Sequence, residues 1–151
     1  IFMSRYLQAG GSIVTIENWK PRIDKAIENF KRAGVEDRIT LIEGDAIEVL
    51  PALNDTFDFV FMDAAKGQYI NFLPDIVRLL KSDGILISDN VLQDGEILDS
   101  RYVVDRRNRT IHSRMREYLY ELKHNEMLET SIIPLGDGIS LSVKVGEDKS
   151  V

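Results

Sequence analysis

Cysteine is absent from this 151-residue chain. Its absence excludes a disulfide scaffold, a thiolate zinc site and a cysteine nucleophile. Histidine is nearly as scarce: with His112 and His124 alone, a three-histidine metal centre cannot be built within one chain. No apolar run approaches the ~20 residues of a membrane span. A surplus of positive charge is also lacking, since the formal net charge is −6. That argues against a surface that coats nucleic acid generally, and leaves a local basic patch open. The start, Ile1-Phe2-Met3, offers neither an initiator methionine nor a charged leader. It reads as the middle of a helix rather than as a signal peptide, and the expectation is a cytoplasmic protein with no membrane contact. What remains is ordinary for one globular domain: 44% hydrophobic and 29% charged residues, enough to bury a real core.

The pattern along the chain alternates. Ile1, Phe2, Tyr6 and Leu7 fall at helical spacing over residues 1–9, and Gly10-Gly11 stops them. Residues 12–17 and 39–43 are short and β-branched, 57–62 is wholly strand-like, and 85–88 is a fourth apolar run. Helical segments are expected between them at 21–33, closed by Gly34, at 46–53 and at 69–80, with Ser82-Asp83-Gly84 as a turn. Four strand-helix alternations with short connections predict a parallel, doubly wound α/β sheet. An irregular stretch (91–104) leads to a long helix from about Arg106 to His124. Strands at 130–135 and 139–145 flank Gly136-Asp137-Gly138, an antiparallel hairpin.

In open α/β sheets the ligand sits at the carboxyl ends of the strands. The polar residues there are Glu17, Gly44-Asp45-Ala46, Asp63 with Lys66, and Asp89-Asn90. Glu17 can bind a ribose diol bidentately, or be a surface acid at a strand end. Asp45 can serve a ligand, or simply cap the helix that follows it. Asp63, Asp89 and Asn90 are hard oxygen donors on strands expected to be adjacent, and suit Mg²⁺ or Ca²⁺ better than zinc. Lys66 could lie against the same cation and be made a usable base by it, or be a solvated lysine.

Taken in order, Val14-Thr15-Ile16-Glu17, Glu43-Gly44-Asp45-Ala46, Phe61 to Tyr69 (Phe-Met-Asp-Ala-Ala-Lys-Gly-Gln-Tyr) and Ile87-Ser88-Asp89-Asn90-Val91 resemble the metal-dependent O-methyltransferases of the catechol and caffeoyl-CoA type. Pro134-Leu135-Gly136-Asp137-Gly138 fits as well, and the resemblance spans essentially the whole chain. It implies a Rossmann-like methyltransferase sheet with a C-terminal antiparallel hairpin, and S-adenosylmethionine and Mg²⁺ as cofactors. By the same resemblance Asp63, Asp89 and Asn90 hold the metal, and Lys66 with Asp63 forms the catalytic pair. Glu17 binds the cofactor ribose, Gly44, Asp45 and Ala46 lie near the adenine, and Asp63 also touches the cofactor. A homodimer is usual in such a family. One departure is Ala65, where plant-type members carry an acid and the catechol enzyme a bulky aromatic. A larger one is that the family's first strand and glycine-rich loop should precede residue 1. The expectation is therefore a physiological protein longer by ~50–70 residues, with a gap in the sheet of this chain where that strand would lie.

A cation chelating two substrate oxygens selects acceptors with vicinal oxygens: a catechol, a caffeoyl group, or a 5-hydroxyuridine. Residues 101–124 carry seven lysines and arginines against three acids, a local +4. Ile111, Met115, Tyr118, Leu119 and Leu122 should form the buried stripe of that helix, with Arg106, Arg109, Arg116 and Lys123 on another face. Together with Arg107 this face reads either as phosphate-contacting or as solvated. The run from Arg106 to Glu117 resembles bacterial family members that methylate 5-hydroxyuridine in tRNA, so tRNA is the favoured acceptor and a small phenol the alternative. A non-catalytic binding domain of the same fold and a nucleotide-dependent dehydrogenase are lesser readings.

Overall fold

The computed structural model describes residues 1–100 and 102–146, the Asp94 side chain excepted. Arg101, counted in the basic segment, lies outside the described residues. The chain divides into two compact units, Ile1–Leu53 and Asn54–Val151. Among the described residues no helix is long and apolar enough to cross a membrane.

The first unit is a strand-helix-strand-helix run. β1 (Ile13–Glu17) and β2 (Ile39–Glu43) pair in parallel, with Glu17 opposite Glu43. Between them α1 (Lys20–Ala33) takes Pro21 in its first turn, where a missing N–H costs nothing. Gly34, at φ 64°, ends it: its N–H donates to Lys31 O at 3.0 Å and that of Val35 to Phe30 O at 3.1 Å. α2 (Ala46–Ala52) follows. Ile23 and Ile39 are buried here. The expected helix over 1–9 is a single 3₁₀ turn, Met3–Tyr6. Nine residues without a side-chain cap sustain little helix by themselves. This turn is tied down by Arg38, whose guanidinium donates to Ser4 O, Leu7 O and Gln8 O, each at 3.1 Å.

The second unit holds a four-stranded sheet in the order β3-β4-β6-β5. β3 (Phe57–Met62) and β4 (Leu80–Ser88) are parallel. β4–β6 and β5–β6 are antiparallel, with β5 at Leu128–Ile133 and β6 at Ile139–Lys144. The described strands thus form a two-stranded and a four-stranded sheet, not one continuous parallel sheet. The expected turn at 82–84 is present, but lies inside β4. The β3–β4 register passes from Phe57 opposite Leu80 to Phe59 opposite Ile85, and Asp83 takes the strain of the excursion at φ 61°.

α3 (Tyr69–Leu79) and α4 (Arg109–His124) belong to the same unit. α3 buries Tyr69, Phe72, Leu73, Ile76, Val77 and Leu79. Lys144 caps its C-terminal end, donating to Val77 O at 2.8 Å and Leu80 O at 2.7 Å. α4 begins three residues later than expected, leaving Arg106 and Arg107 in the preceding turn. Its buried stripe is His112, Met115, Tyr118 and Leu122, while Ile111 is exposed and Leu119 half-buried. Met115, Tyr118 and Leu122 are buried as expected, Tyr118 with its hydroxyl on Ser88 of β4; the change is His112 in place of Ile111, its Nε2 3.1 Å from Glu96 O.

Leu86, in the middle of β4, is fully buried. Leu86→Ala should lower stability by about 2–5 kcal/mol. The check is urea unfolding: the midpoint should fall with little change in slope, and an unmoved midpoint would remove Leu86 from the core.

Candidate active site

Parallel pairing of β3 and β4 continues beyond the strands, since Asp89 N donates to Met62 O at 3.1 Å. That register sets Asp63 and Asp89 side by side at the carboxyl ends of two neighbouring strands. Asn90 follows at φ 56°, a left-handed conformation that asparagine tolerates better than most residues. Its N–H donates to Asp89 Oδ1 at 2.8 Å.

Into this gap comes the ammonium of Lys66, from a 3₁₀ turn (Lys66–Gln68) that leads into α3. Lys66 Nζ donates to Asn90 Oδ1 at 2.7 Å, Tyr69 OH at 3.0 Å, Asp63 Oδ1 at 3.2 Å and Asp89 O at 3.4 Å. Tyr69 is completely buried, and its hydroxyl also lies 3.2 Å from both Met62 O and Asp89 O. It receives the N–H of Ala64 at 3.3 Å. One phenol thus fastens the ends of both strands and one face of the lysine.

Burial depresses the Lys66 ammonium, but the Tyr69 oxygen and the Asp63 carboxylate outweigh it, and its pKa ends above the ordinary lysine value. For Tyr69 burial dominates and raises the phenol, with Lys66 opposing. At neutral pH Lys66 is therefore a held cation, and these side chains alone do not make it the base expected from sequence. Beside it opens a cleft of about 370 Å³ lined by Lys66, Gln93, Glu96, Asn108 and Ile111.

The oxygen set suits a hard divalent cation. Asp63 Oδ1 and Asn90 Oδ1 already converge on one positive centre, with Asp89 adjacent. Among the described residues no three histidine, aspartate or glutamate side chains gather as a metal cage. The donors here are two carboxylates and one amide.

In the first unit, Glu17 Oε1 accepts the N–H groups of Asn18 and Trp19 at 3.0 Å each, and Arg22 lies 3.5 Å from Oε2. Glu17 is thus a preset carboxylate at the end of β1. Gly44 N donates to Glu17 O at 3.1 Å, which brings those two expected residues together. Asp45 caps α2, accepting from Ile47 N at 3.0 Å, as the alternative reading had it, and Ala46 begins that helix.

Among the described basic residues of the 101–124 segment, three are engaged by backbone carbonyls. Arg109 donates to Val104 O at 3.1 Å and Tyr102 O at 3.2 Å, and Arg116 to Ile97 O at 3.2 Å. Arg114 reaches Gly67 O at 3.0 Å. These guanidiniums tie α4 to the surrounding loops. Arg107 lies 3.8 Å from Asp105 in an exposed pair, and Arg106 is exposed. Sequence reasoning missed Tyr69 as a site residue, although its spacing of three from Lys66 was a usable signal. It also missed Asp137, whose Oδ2 accepts from Asn90 Nδ2 at 3.0 Å.

The sequence pattern described as O-methyltransferase matches residues 1–145. The chain belongs to the O-methyltransferase family. It is 30% identical over 142 residues to the caffeoyl-CoA O-methyltransferase of Citrus natsudaidai, covering 89% of this chain and 61% of that protein. A catechol O-methyltransferase of Niastella koreensis is 33% identical over 103 residues, or 66% of this chain and 47% of that enzyme. The chain therefore spans roughly half to three fifths of these relatives' lengths. The SAH-bound methyltransferase of Podospora anserina superposes with a TM-score of 0.78 at 29% identity, covering 89% of this chain and 61% of that one. The fold is accordingly the Rossmann-like methyltransferase fold with its closing antiparallel hairpin.

Tyr69→Phe removes one of the oxygens that hold the Lys66 ammonium. In metal-free protein the Lys66 pKa, raised above the ordinary lysine value in the parent, should fall in the variant. A titration followed by lysine ¹³Cε–¹⁵Nζ NMR reads this directly. The sign of the linkage is fixed: the ion-pair contribution is complete below the free-lysine pKa and is lost as pH rises through the higher folded value.

Proposed function

We propose that the protein is an S-adenosylmethionine-dependent, Mg²⁺-assisted O-methyltransferase of the catechol and caffeoyl-CoA type, acting on a small phenolic acceptor with two adjacent oxygens. The observation that carries this reading is the convergence of Asp63, Asn90, Tyr69 and the Asp89 carbonyl on Lys66 at the wall of an open cleft. The cleft is of a size that takes a small ligand. Named relatives on caffeoyl-CoA and catechol support the acceptor class. The tRNA acceptor favoured from the basic helix gains no such support, and carbonyl oxygens already engage Arg109 and Arg116.

In this reading Asp63, Asp89 and Asn90 would hold Mg²⁺, which when bound supplies a Lewis acid that acidifies a chelated hydroxyl. S-adenosylmethionine supplies the electrophilic sulfonium methyl, and Glu17 with Gly44, Asp45 and Ala46 is the segment proposed to carry its nucleoside. Lys66, held protonated by its neighbours, donates a hydrogen bond to the acceptor oxygen and stabilises its negative charge as the hydroxyl releases its proton to solvent water; that oxygen then takes the methyl and S-adenosylhomocysteine leaves. Tyr69 keeps the ammonium aimed, because its ring is locked in the core and its hydroxyl is fixed by two carbonyls. Ile111 offers the cleft an apolar wall for an aromatic ring, and Gln93, Glu96 and Asn108 offer polar contacts.

The test is methyl transfer from radiolabelled S-adenosylmethionine by the intact protein, with a catechol, caffeoyl-CoA and hydroxyuridine-containing tRNA as parallel acceptors, each with and without EDTA. Label in the phenols that EDTA abolishes is expected. Lys66→Met should cost on the order of 10²–10⁴-fold in kcat on the phenol. Label in tRNA alone would overturn the acceptor class, and EDTA-resistant label would overturn the metal assignment. Arg106→Ala with Arg107→Ala should leave phenol methylation unchanged.

A further inference from the structure

The Gly136-Asp137-Gly138 turn joins β5 to β6, and turn chemistry alone accounts for its two glycines. It does not account for the direction of the aspartate. The turn is docked on the segment that follows β4: Val91 N donates to Gly138 O and Leu92 N to Asp137 O, each at 2.9 Å. The approach is so close that a Cβ on Gly138, itself at φ 81°, would lie 2.6 Å from Leu92 Cβ. From this position the Asp137 carboxylate meets the amide nitrogen of Asn90 at 3.0 Å.

An asparagine amide has two chemically opposite ends of nearly the same shape. Only its oxygen can accept from an ammonium or bind a metal cation. At Asn90 the oxygen faces Lys66 Nζ at 2.7 Å and the nitrogen faces Asp137. Rotating the amide by half a turn would set NH₂ against ammonium and carbonyl against carboxylate, so both contacts would become repulsive. A carboxylate only accepts, and its presence behind Asn90 therefore dictates which end points forward. Lys66 enforces the same orientation from the other side, but its ammonium belongs to the reacting side of the site. Asp137 is the fixed partner.

We propose that Asp137 is a positioning residue that locks the Asn90 amide with its oxygen toward the cation site proposed for Asp63, Asp89 and Asn90. The proposal rests on the metal-assisted reading above in its consequence for cation affinity, and on the hydrogen-bond geometry alone for the amide orientation. Asp137→Asn is the informative change. It keeps the size and the backbone, yet its own amide can either donate or accept, so the constraint on Asn90 disappears. Asp137→Glu restores a carboxylate on a longer arm.

Two measurements test this on the intact protein. Mn²⁺ binding alone, followed by electron paramagnetic resonance of the free ion, should weaken about 10–100-fold in Asp137→Asn, the usual cost of losing a partner that orients a metal ligand. Asp137→Glu should recover part of the loss. In metal-free protein, ¹⁵N–¹H spectra should show the Asn90 side-chain NH₂ slowed in exchange and shifted downfield in the parent and in Asp137→Glu, and released in Asp137→Asn. Equal Mn²⁺ affinity in parent and Asp137→Asn would overturn the proposal, as would an unchanged Asn90 amide signal. If the parent binds no Mn²⁺, the metal-assisted reading fails, and the amide spectrum alone then decides the role of Asp137.

Discussion

A single ammonium surrounded by oxygen organises the second unit of this chain. Asp63 Oδ1, Asn90 Oδ1, the Asp89 carbonyl and the Tyr69 hydroxyl all lie within hydrogen-bond reach of Lys66 Nζ. Without a cation among them, oxygens on adjacent strand ends would repel each other. The β3–β4 register creates the crowding, and Lys66 relieves it. Tyr69 is the part that cannot be displaced cheaply, because it is at once core, lysine partner and clasp for both strand ends. Its ring meets Tyr118 edge-on at 5.4 Å, and Tyr118 in turn bonds Ser88 beneath Asp89. The site is therefore supported from below by a buried aromatic pair, each hydroxyl of which is satisfied.

The arginines of α4 show how the same residue type can be read two ways. A guanidinium has five donors in a rigid fork, and either a phosphate or several peptide carbonyls will satisfy it. Here Arg109, Arg114 and Arg116 meet carbonyls at Val104, Gly67 and Ile97. Those carbonyls belong to the turn that presents Lys66 and to the loops beside the cleft. Three of the seven positive charges in residues 101–124 are thus engaged in fastening cleft-bordering loops to a helix. Charge counting cannot see this, because the partners are backbone groups that every sequence contains.

Legibility followed the range of the interactions. The elements with strong local signals sit where the sequence predicts them: β2 and β3 to the residue, and α1 with its Pro21 start and Gly34 stop; the hairpin around Gly136-Asp137-Gly138 is present with β5 two residues earlier than expected. The strand-end grouping was legible too, since Asp63, Lys66, Asp89 and Asn90 do come together. What escaped was decided by distant partners. His112 rather than Ile111 lines the inner face of α4, with Nε2 3.1 Å from Glu96 O. The extension of β4 back to Leu80 depends on pairing with Phe57, which no local pattern encodes. Asp45 carried both a capping and a ligand reading in its spacing, and the cap is what its side chain makes.

The sign of the Lys66 shift bears on what this lysine contributes. Burial alone would lower its pKa and make a base of it, yet Tyr69 and Asp63 reverse that outcome. An ammonium so stabilised gives up its proton less readily than a solvated lysine and gains none at neutral pH. Its chemical use under the proposed function is to meet negative charge that develops on an acceptor oxygen, where a preset cation needs no reorganisation. Such a role favours acceptors whose hydroxyl is already acidic, as a phenol's is, over an aliphatic alcohol. Under the proposed function, the electrostatics of Asp63, Lys66 and Tyr69 would favour phenols over aliphatic alcohols.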